Sequence, residues 1–444
     1  MLMMKNVLLR AGWRPTVVCL SLAVCAVIVD GCRKNFIPQQ NNELRNFGEV
    51  NLVANNASYD PALVDPTLRD AWGLAWSPTG IAWVNATVQG VSELYMTTPS
   101  IVRPPVNIPS PTDSVGGAPI GIVFNSTKGF VLPDHATASF IFDGGDGVIS
   151  AWNGAAGNNA FRIANNSQTA SYTGLALANS GGANYLYAAN FKSGKIEVWD
   201  TAWNPVTWMP FHDQAIPAGF HNFNIQSVGG WLVVTYAKVG ANGRQQVGAG
   251  LGFVDIYNTD GSFVRRLASG GVLNSPWGVA MAPHSFLEDH DVVKTTGSGG
   301  GPDGGNGNGN SDGNGNGNGN GNGNGSPGGP GNGNGNGDGG GNYYGNGNGD
   351  GSPGGPGQNN NKDNDEPVIL VGNFGDGHIS VFSLEGVYLG QLESRNRVIV
   401  IPGLWALGFA PSTATTINPS FLFFTAGPNS ELDGVFGYLV KSDN

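Results

Sequence analysis

Cysteine is missing from most of this sequence. The three cysteines, Cys19, Cys25 and Cys32, all lie within the first 32 residues. A chain processed at or before Cys32 therefore has no intramolecular disulfide, no Cys-based metal site and no Cys nucleophile in its body. Small secreted domains usually need disulfides, but roughly 340 ordered residues can bury enough apolar surface without them.

Charged residues are also scarce, at 12% of the chain, and the formal net charge is -11. The sequence shows no cluster of Lys and Arg, which argues against nucleic acid and anionic membrane surfaces as partners. No long apolar stripe with the helical period follows residue 32. The 72 Gly and 11 Trp instead favour a β protein with many turns.

Familiar catalytic motifs are absent as well. The six histidines are scattered, with no His-x-His or His-Glu-x-x-His arrangement, so we expect no zinc site. There is no Gly-x-Ser-x-Gly nucleophile elbow. No nucleophile–base pair is visible, although such pairs can assemble from distant positions.

The N-terminus has the features of an export signal. Lys5, Arg10 and Arg14 precede an apolar segment at 16–29 that is too short to span a bilayer comfortably. Val29-Asp30-Gly31-Cys32 resembles the lipobox of bacterial lipoproteins, which implies lipidation of Cys32. Ordinary cleavage nearby, or an uncleaved anchor, is the alternative. We assign residues 1–32 to the signal peptide and 33–47 to a polar tether, and we expect the protein outside the cytoplasm.

A short apolar strand that opens with a Trp-Gly-like step occurs six times. Trp72-Gly73 and Trp277-Gly278 are the clearest copies, and the others begin near residues 120, 173, 224 and 405. Apart from one stretch, the copies recur about every fifty residues, a period typical of propeller blades. The sequence therefore predicts an all-β, six-bladed β-propeller.

The ends of the chain predict how the ring closes. The sixth blade runs out of chain after its third strand, while a leading strand at 48–54 has no blade of its own. A propeller closes its ring by letting one terminus complete the sheet of the other. We therefore expect the N-terminal strand to close the last blade, with the propeller formed by residues 48–296 and 367–441.

Residues 297–366 have a different composition, dominated by alternating Gly and Asn. This segment has almost no apolar side chain to bury, and Gly loses the most entropy on ordering, so we predict a disordered, low-complexity insertion. It falls between the first and second strands of blade five. Loop-closure cost rises only slowly with length, so the fold can tolerate it.

Two segments resemble a known repeat. Residues 190–199 and 373–382 look like the second half of NHL-type propeller repeats. Over nearly the whole chain after the signal, the order of motifs is similar to an uncharacterised family of secreted propeller proteins. That resemblance implies the same fold and export, and it supplies no established activity.

A polar residue ends the second strand of several blades, close to the top opening of the predicted channel, and Trp residues open the innermost strands beside it. Oxygen-bearing side chains in a ring suit Ca²⁺ or a small ligand, whereas Asn and Asp also favour ordinary turns. The candidate ligand-binding residues are Asn85, Asp143, Asn190, Asn373, Trp72, Trp277 and Trp405.

An enzyme is the alternative hypothesis. Calcium-dependent lactonases and phosphotriesterases look similar in fold, and Asn190 and Asn373 could match two of their metal ligands. The acidic ligand would have to be Asp70, and the Glu-Gly-Pro-type motif of those enzymes is absent. Calcium is the cofactor that this hypothesis requires.

The sequence favours a non-enzymatic scaffold that is secreted or tethered to a surface. A closed ring displays variable loops around a funnel, where propellers commonly bind ligands. We expect a monomer whose partner is a small molecule, a surface polymer or a protein.

Overall fold

The computed structural model describes residues 42–96, 98–283, 286–287 and 366–442. The predicted signal peptide with Cys32, most of the tether and the Gly/Asn-rich insertion lie outside these residues. Ordered structure begins before residue 48, with a 3-10 helix at Asn42–Leu44. Leu44 and Phe47 are buried and pack into the core.

Two strands precede the first complete blade, and blades one to three follow in chain order. Blade one contains four successive antiparallel strands and one short additional strand, and blades two and three contain four strands each. The strands are β1 (Phe47–Ala54) and β2 (Leu63–Val64), then β3 (Ala71–Trp76), β4 (Ala82–Ala86), β5 (Val91–Met96), β6 (Ser100–Ile101) and β7 (Val106–Asn107), then β8 (Pro119–Phe124), β9 (Phe140–Gly144), β10 (Val148–Trp152) and β11 (Phe161–Asn165), then β12 (Tyr172–Ser180), β13 (Ala183–Asn190), β14 (Lys195–Asp200) and β15 (Pro205–Val206).

Blades four to six complete the described chain. Blade four has one short additional strand, and a two-stranded ribbon separates blades five and six. The strands are β16 (Phe220–Val228), β17 (Trp231–Val239), β18 (Gln245–Gln246), β19 (Gly252–Tyr257) and β20 (Phe263–Ser269), then β21 (Pro276–Ala282), β22 (Val368–Asn373), β23 (Ile379–Ser383) and β24 (Tyr388–Gln391), then the ribbon β25 (Glu393–Ser394) and β26 (Arg397–Val398), then β27 (Leu404–Phe409), β28 (Leu422–Ala426) and β29 (Val435–Lys441).

Helix is a minor component. The described residues contain four 3-10 helices and one helical turn, α1, and none of these helices is long and apolar enough to cross a membrane. The predicted all-β class is confirmed. The helical segments are Asn42–Leu44, Ala57–Tyr59, Thr87–Gln89, Gly154–Ala156 and α1 (Pro428–Glu431).

The first strands of the six blades form a ring. Each first strand contacts the first strand of the next blade, in the order β3, β8, β12, β16, β21, β27 and back to β3. The ring closes because β1 pairs antiparallel with β29, in a register that runs from Phe47 opposite Lys441 to Ala54 opposite Val435. The six-bladed propeller and its closure by the N-terminal strand are as predicted.

The two arms of blade five that flank the long insertion are adjacent strands. β21 pairs antiparallel with β22, and Ala282 lies opposite Val368. Everything between these two residues is therefore a connection within one sheet. The Lys441 Nζ donates hydrogen bonds to the carbonyl oxygens of Glu43 and, at 2.8 Å, Leu287. It thus ties the start of that connection to both ends of the described chain.

Large apolar side chains fill the seams between neighbouring blades. Between blades one and two, Trp83 stacks on Phe140 with ring centroids 4.0 Å apart, and Trp152 lies 4.9 Å from Trp83. Similar clusters occupy the other seams. Burial of aromatic rings is the main stabilising contribution of such seams.

We define the top face as the side that carries the connections between second and third strands and between successive blades. Tight turns on this face use glycines at left-handed angles, such as Gly194 (φ 69°) and Gly377 (φ 73°). Both glycines lie in the two segments that resemble NHL repeats. Left-handed angles are the ones that hairpin turns between twisted strands require.

Two glycines, one in β1 and one in β29, allow a test of how closely the strands that close the ring pack against their neighbours. A Cβ at Gly437 would lie 2.5 Å from the Val50 carbonyl oxygen, whereas a Cβ at Gly48 would come no closer than 3.8 Å to Val440. We expect Gly437→Ala to lower the free energy of unfolding by about 1–3 kcal/mol through overpacking. Gly48→Ala is the matched control and should leave stability nearly unchanged. Guanidinium unfolding measures both, and equal midpoints for the two variants would contradict this account of the closure.

Candidate functional site

The predicted tryptophans do meet at the top opening of the channel. Trp72 and Trp277 are 4% exposed and Trp405 is fully buried. The Trp405 ring lies between Trp72, at a centroid distance of 3.6 Å and 13°, and Phe374, at 3.9 Å and 15°. Phe223 packs against the edge of this stack. The opening is therefore closed by stacked rings.

Two of the three indole N–H groups are fixed by hydrogen bonds across the opening. Trp277 Nε1 donates to the Thr173 carbonyl oxygen at 2.7 Å, which joins blade five to blade three. Trp405 Nε1 donates to Asp70 Oδ1 at 3.1 Å, which joins blade six to the segment before blade one. Trp72 Nε1 is buried and has no partner among the described residues.

The Trp-Gly-like step is a structural device that all six blades share. In each blade the pairing between the first and second strands shifts register at this step. Such irregularities bend a strand and re-aim its side chains. A Cβ at Gly73 would clash with the Ile120 carbonyl oxygen, and one at Gly278 with that of Trp405. Glycine is needed there because neighbouring first strands approach each other closely.

The predicted polar residues of blades one and two connect neighbouring blades. Asn85 is fully buried, and its Nδ2 donates to the carbonyl oxygens of Ile120 at 3.0 Å and Gly121 at 3.3 Å. Asp143 is 1% exposed and accepts from Gly121 N–H at 2.6 Å and from Gly174 N–H at 3.1 Å. Burial raises the pKa of the Asp143 carboxyl to about 7, and these two N–H groups oppose the rise.

The predicted polar residues of blades three and five are held in the same way. Asn190 is fully buried, accepts from Ser171 N–H and Ser193 N–H at 3.2 Å each, and donates to Glu197 at 2.7 Å. Asn373 is also fully buried, and its Oδ1 accepts from Asn274 N–H at 2.9 Å. Both side chains hold the connection that leads into the first strand of their own blade, and Asn190 also holds the turn after β13.

Two further side chains belong to this set, Thr425, which also ends a second strand of the predicted series, and Asn224. Asn224 Nδ2 donates to the Trp277 carbonyl oxygen at 2.8 Å. Thr425 Oγ1 donates to the Trp72 carbonyl oxygen and accepts from Ala406 N–H at 3.0 Å. Asn224 was not selected from the sequence, although it occupies the place of glycine in the Trp-Gly-like step of blade four, and that substitution was the available signal.

Backbone hydrogen bonds already engage most of the predicted polar ring. The oxygens of Asp143, Asn190 and Asn373 accept backbone N–H groups, which leaves fewer lone pairs for a cation. Asn85 Oδ1 is buried without a partner. The described residues hold no group of three or more His, Cys, Asp and Glu side chains arranged for a metal ion. That the seven selected side chains line a ligand site stays a prediction.

Loops from two blades meet above the ring stack. Arg244, in the connection between β17 and β19 of blade four, forms an ion pair with Glu431 of α1 in blade six. Asn429, Ser430 and Glu431 have left-handed φ angles of 54°, 55° and 67°. Non-glycine residues seldom adopt that region, because it brings Cβ close to the following carbonyl oxygen. Because Arg244 belongs to blade four and Glu431 to blade six, their ion pair crosses the top of blade five.

Asp70 lies beneath these loops in an unusual electrostatic setting. Its side chain is 3% exposed and its φ is 51°. Burial, with the nearby Glu431 charge, raises the pKa of the Asp70 carboxyl to about 8, while the Trp405 hydrogen bond and the Arg244 charge oppose the rise. The neutral form of the Asp70 carboxyl is therefore favoured at neutral pH in this arrangement.

Three uncharacterised proteins of Acanthamoeba polyphaga mimivirus are similar in sequence. The first is 25% identical over 407 residues, which cover 88% of this chain and 80% of the relative. The second is 27% identical over 61% of this chain and 51% of the relative. The third is 33% identical over 37% of this chain and 32% of the relative. No protein-family model matches the chain.

Solved structures with a related shape share little sequence. A streptogramin B lyase is 8% identical with a TM-score of 0.43, over 89% of this chain and 97% of that chain. Virginiamycin B lyase from Staphylococcus aureus is 10% identical with a TM-score of 0.37, over 89% and 98%. Likenesses at this level carry no argument about activity. Membership of an NHL-like family, and export, stay predictions.

The pKa of Asp70 predicts a pH-dependent difference between wild type and Asp70→Asn. A carboxyl whose folded pKa is raised binds its proton more tightly in the folded state, so its stabilising contribution is complete below pH 3.8 and is lost as pH rises to about 8. Asn keeps the shape, tolerates a left-handed φ and does not ionise. Between pH 4 and 8 we expect the variant to gain at least about 1.4 kcal/mol relative to wild type, the equivalent of one pKa unit.

Urea unfolding at several pH values measures that difference. Burial also raises the pKa values of Glu93, Asp143 and Asp255. These residues are present in both proteins, so their contributions to the pH dependence of stability cancel in the difference. A difference that is constant with pH would show that Asp70 titrates normally in the folded protein.

Proposed function

We propose that this protein is a non-enzymatic binding scaffold that is exported from the cytoplasm, tethered through Cys32, and engages its ligand or partner with the top face of the propeller. The observation that carries the proposal is the closed channel. The stack of Trp72, Trp405 and Phe374 occupies the opening where propeller pockets commonly form. Recognition is therefore assigned to the loops around the opening.

The chemistry of the buried polar residues supports binding over catalysis. A catalytic or metal-ligating side chain must offer a free oxygen or nitrogen to the reacting atoms. Asp143, Asn190 and Asn373 instead use their oxygens to fix turns and neighbouring blades. We propose that the polar ring and the tryptophans are the framework of the top face, and that exposed loop residues make the contacts.

The loop between β17 and β19 is the leading candidate for such contacts. Most of its residues are exposed, among them Val247 at 51%, and Arg244 reaches from it toward blade six. Leu432, on the facing loop of blade six, is 52% exposed. Loops positioned by a rigid scaffold are the usual carriers of binding function.

A calcium titration beside a hydrolysis screen separates the scaffold from the calcium-dependent hydrolase. Because the oxygens of Asp143, Asn190 and Asn373 already accept N–H groups, we expect no concentration-dependent rise in Tm with Ca²⁺ and no turnover of lactones or phosphotriesters. A ligand that binds the folded state raises Tm by mass action, so a true site would be visible. Calcium stabilisation together with hydrolysis that Asn190→Ala abolishes would overturn the proposal in favour of the enzyme.

Cellular fractionation in a bacterial host tests export and tethering. We expect the full-length protein in the membrane fraction outside the cytoplasm, and Cys32→Ser in the soluble exported fraction, since the thiol is the site of lipid attachment. Cys25→Ser is the matched control and should fractionate like wild type. Identical fractionation of Cys32→Ser and wild type would remove the tether, and retention of both in the cytoplasm would remove export.

A further inference from the structure

Three of the five lysines in the described residues lie at the top ends of strands in blades three and four. Lys192 follows the end of β13, Lys195 begins β14, and Lys238 lies near the end of β17. All three positions lie at the top of the seam between blades three and four. Lys192 and Lys195 are exposed and Lys238 is half-buried.

Contacts of three consecutive residues of β16, Phe220, His221 and Asn222, show that the three lysine positions are neighbours. His221 Nδ1 donates to the Phe191 carbonyl oxygen at 2.7 Å, directly before Lys192. Asn222, the next residue of β16, donates from Nδ2 to the Lys195 carbonyl oxygen at 3.1 Å. On the other side, Phe220 is paired with Lys238 across β16 and β17. The backbone positions of the three lysines therefore lie near His221 and its neighbours in β16, and we call this group the seam cations.

None of the seam cations has a carboxylate partner among the ion pairs of the described residues. Lys192 Nζ donates to the Gln168 carbonyl oxygen at 2.9 Å, and Lys238 Nζ lies 5.8 Å from the Phe220 ring centroid. Glu197, two residues beyond Lys195, accepts hydrogen bonds from Tyr172 and Asn190 instead. The three positive charges thus have backbone or ring contacts and no carboxylate among those ion pairs, in a chain of net charge -11.

We propose that the seam cations bind an acidic polysaccharide, a polymer that carries regularly spaced carboxylate or sulfate groups. This inference rests on the proposed scaffold function and names the partner of the same top face. Flexible lysines act as point charges and do not select the fixed geometry that arginine forks recognise. Several such charges bind a polyanion of high charge density through release of its condensed counterions.

The surroundings of the seam cations favour a polysaccharide over other anionic partners. Protein interfaces depend on aromatic or Arg anchors in central pockets, but Phe191 and Phe223 are buried and Arg244 is paired with Glu431. Single-stranded nucleic acid is held by bases stacked on exposed aromatic rings. The ring beside the seam cations, Phe220, is already covered by Lys238.

Affinity measurements on the full chain test the proposal. The probes are heparin and alginate, with poly-glutamate and oligo-deoxythymidine as competitors of other classes. The test variant is Lys192→Gln/Lys195→Gln/Lys238→Gln. The matched control, Lys128→Gln/Arg395→Gln/Arg397→Gln, removes the same charge from three exposed side chains elsewhere. Equal melting temperatures establish that both variants are folded.

We expect wild type to bind heparin or alginate in a salt-dependent manner. The seam variant should lose at least about tenfold in affinity, and its slope of log affinity against log salt should fall by roughly two to three, one for each lost contact. The affinity of the control variant should stay within about twofold of that of wild type, because we attribute binding to the position of the seam cations and not to the net charge of the protein.

Other outcomes overturn the inference in distinct ways. Equal losses in both variants would show a diffuse charge effect, and no binding of either polysaccharide would remove the partner class. Tighter binding of poly-glutamate or oligo-deoxythymidine would assign the seam cations to a protein or a nucleic acid. The proposed scaffold function fails separately, through calcium-dependent hydrolysis or retention in the cytoplasm, so the two failures are distinguishable.

Discussion

The antiparallel pairing of β1 with β29 is the constraint on which the rest of the structure depends. Without it, blade six would lack its outer strand and the two chain ends would leave an open sheet edge. The pairing brings the first strands of all six blades into one ring. Lys441 reinforces the closure by donating hydrogen bonds to backbone carbonyl oxygens from two distant segments.

The close approach of the first strands shapes the chemistry of the top face. Glycine at the Trp-Gly-like step lets the first strands approach, and the tryptophans fill the opening. Buried polar side chains then serve the N–H and carbonyl groups that the bent strands leave unpaired, because such groups are costly to bury alone. Asn85 and Asp143 are therefore part of the framework of the ring.

Electrostatics divide the top face into regions of different character. Asp70 and the Arg244–Glu431 pair lie above the ring stack, where burial disfavours charge. Lys192, Lys195 and Lys238 lie toward the seam of blades three and four, where they meet solvent. The first region joins blades, and the second carries lysines that have no carboxylate partner among the ion pairs of the described residues.

The sequence by itself determined the fold class, the number of blades and the strand that closes the ring, because strand periodicity and turn residues are local and repeat in every blade. The sequence also predicted that Trp72, Trp277 and Trp405 lie at one opening. Only the tertiary structure decided that these rings stack and close it, since stacking depends on the diameter of the ring. It alone revealed the seam cations, because Lys238 lies more than forty residues from Lys192 in the chain and becomes its neighbour only when blades three and four pack together.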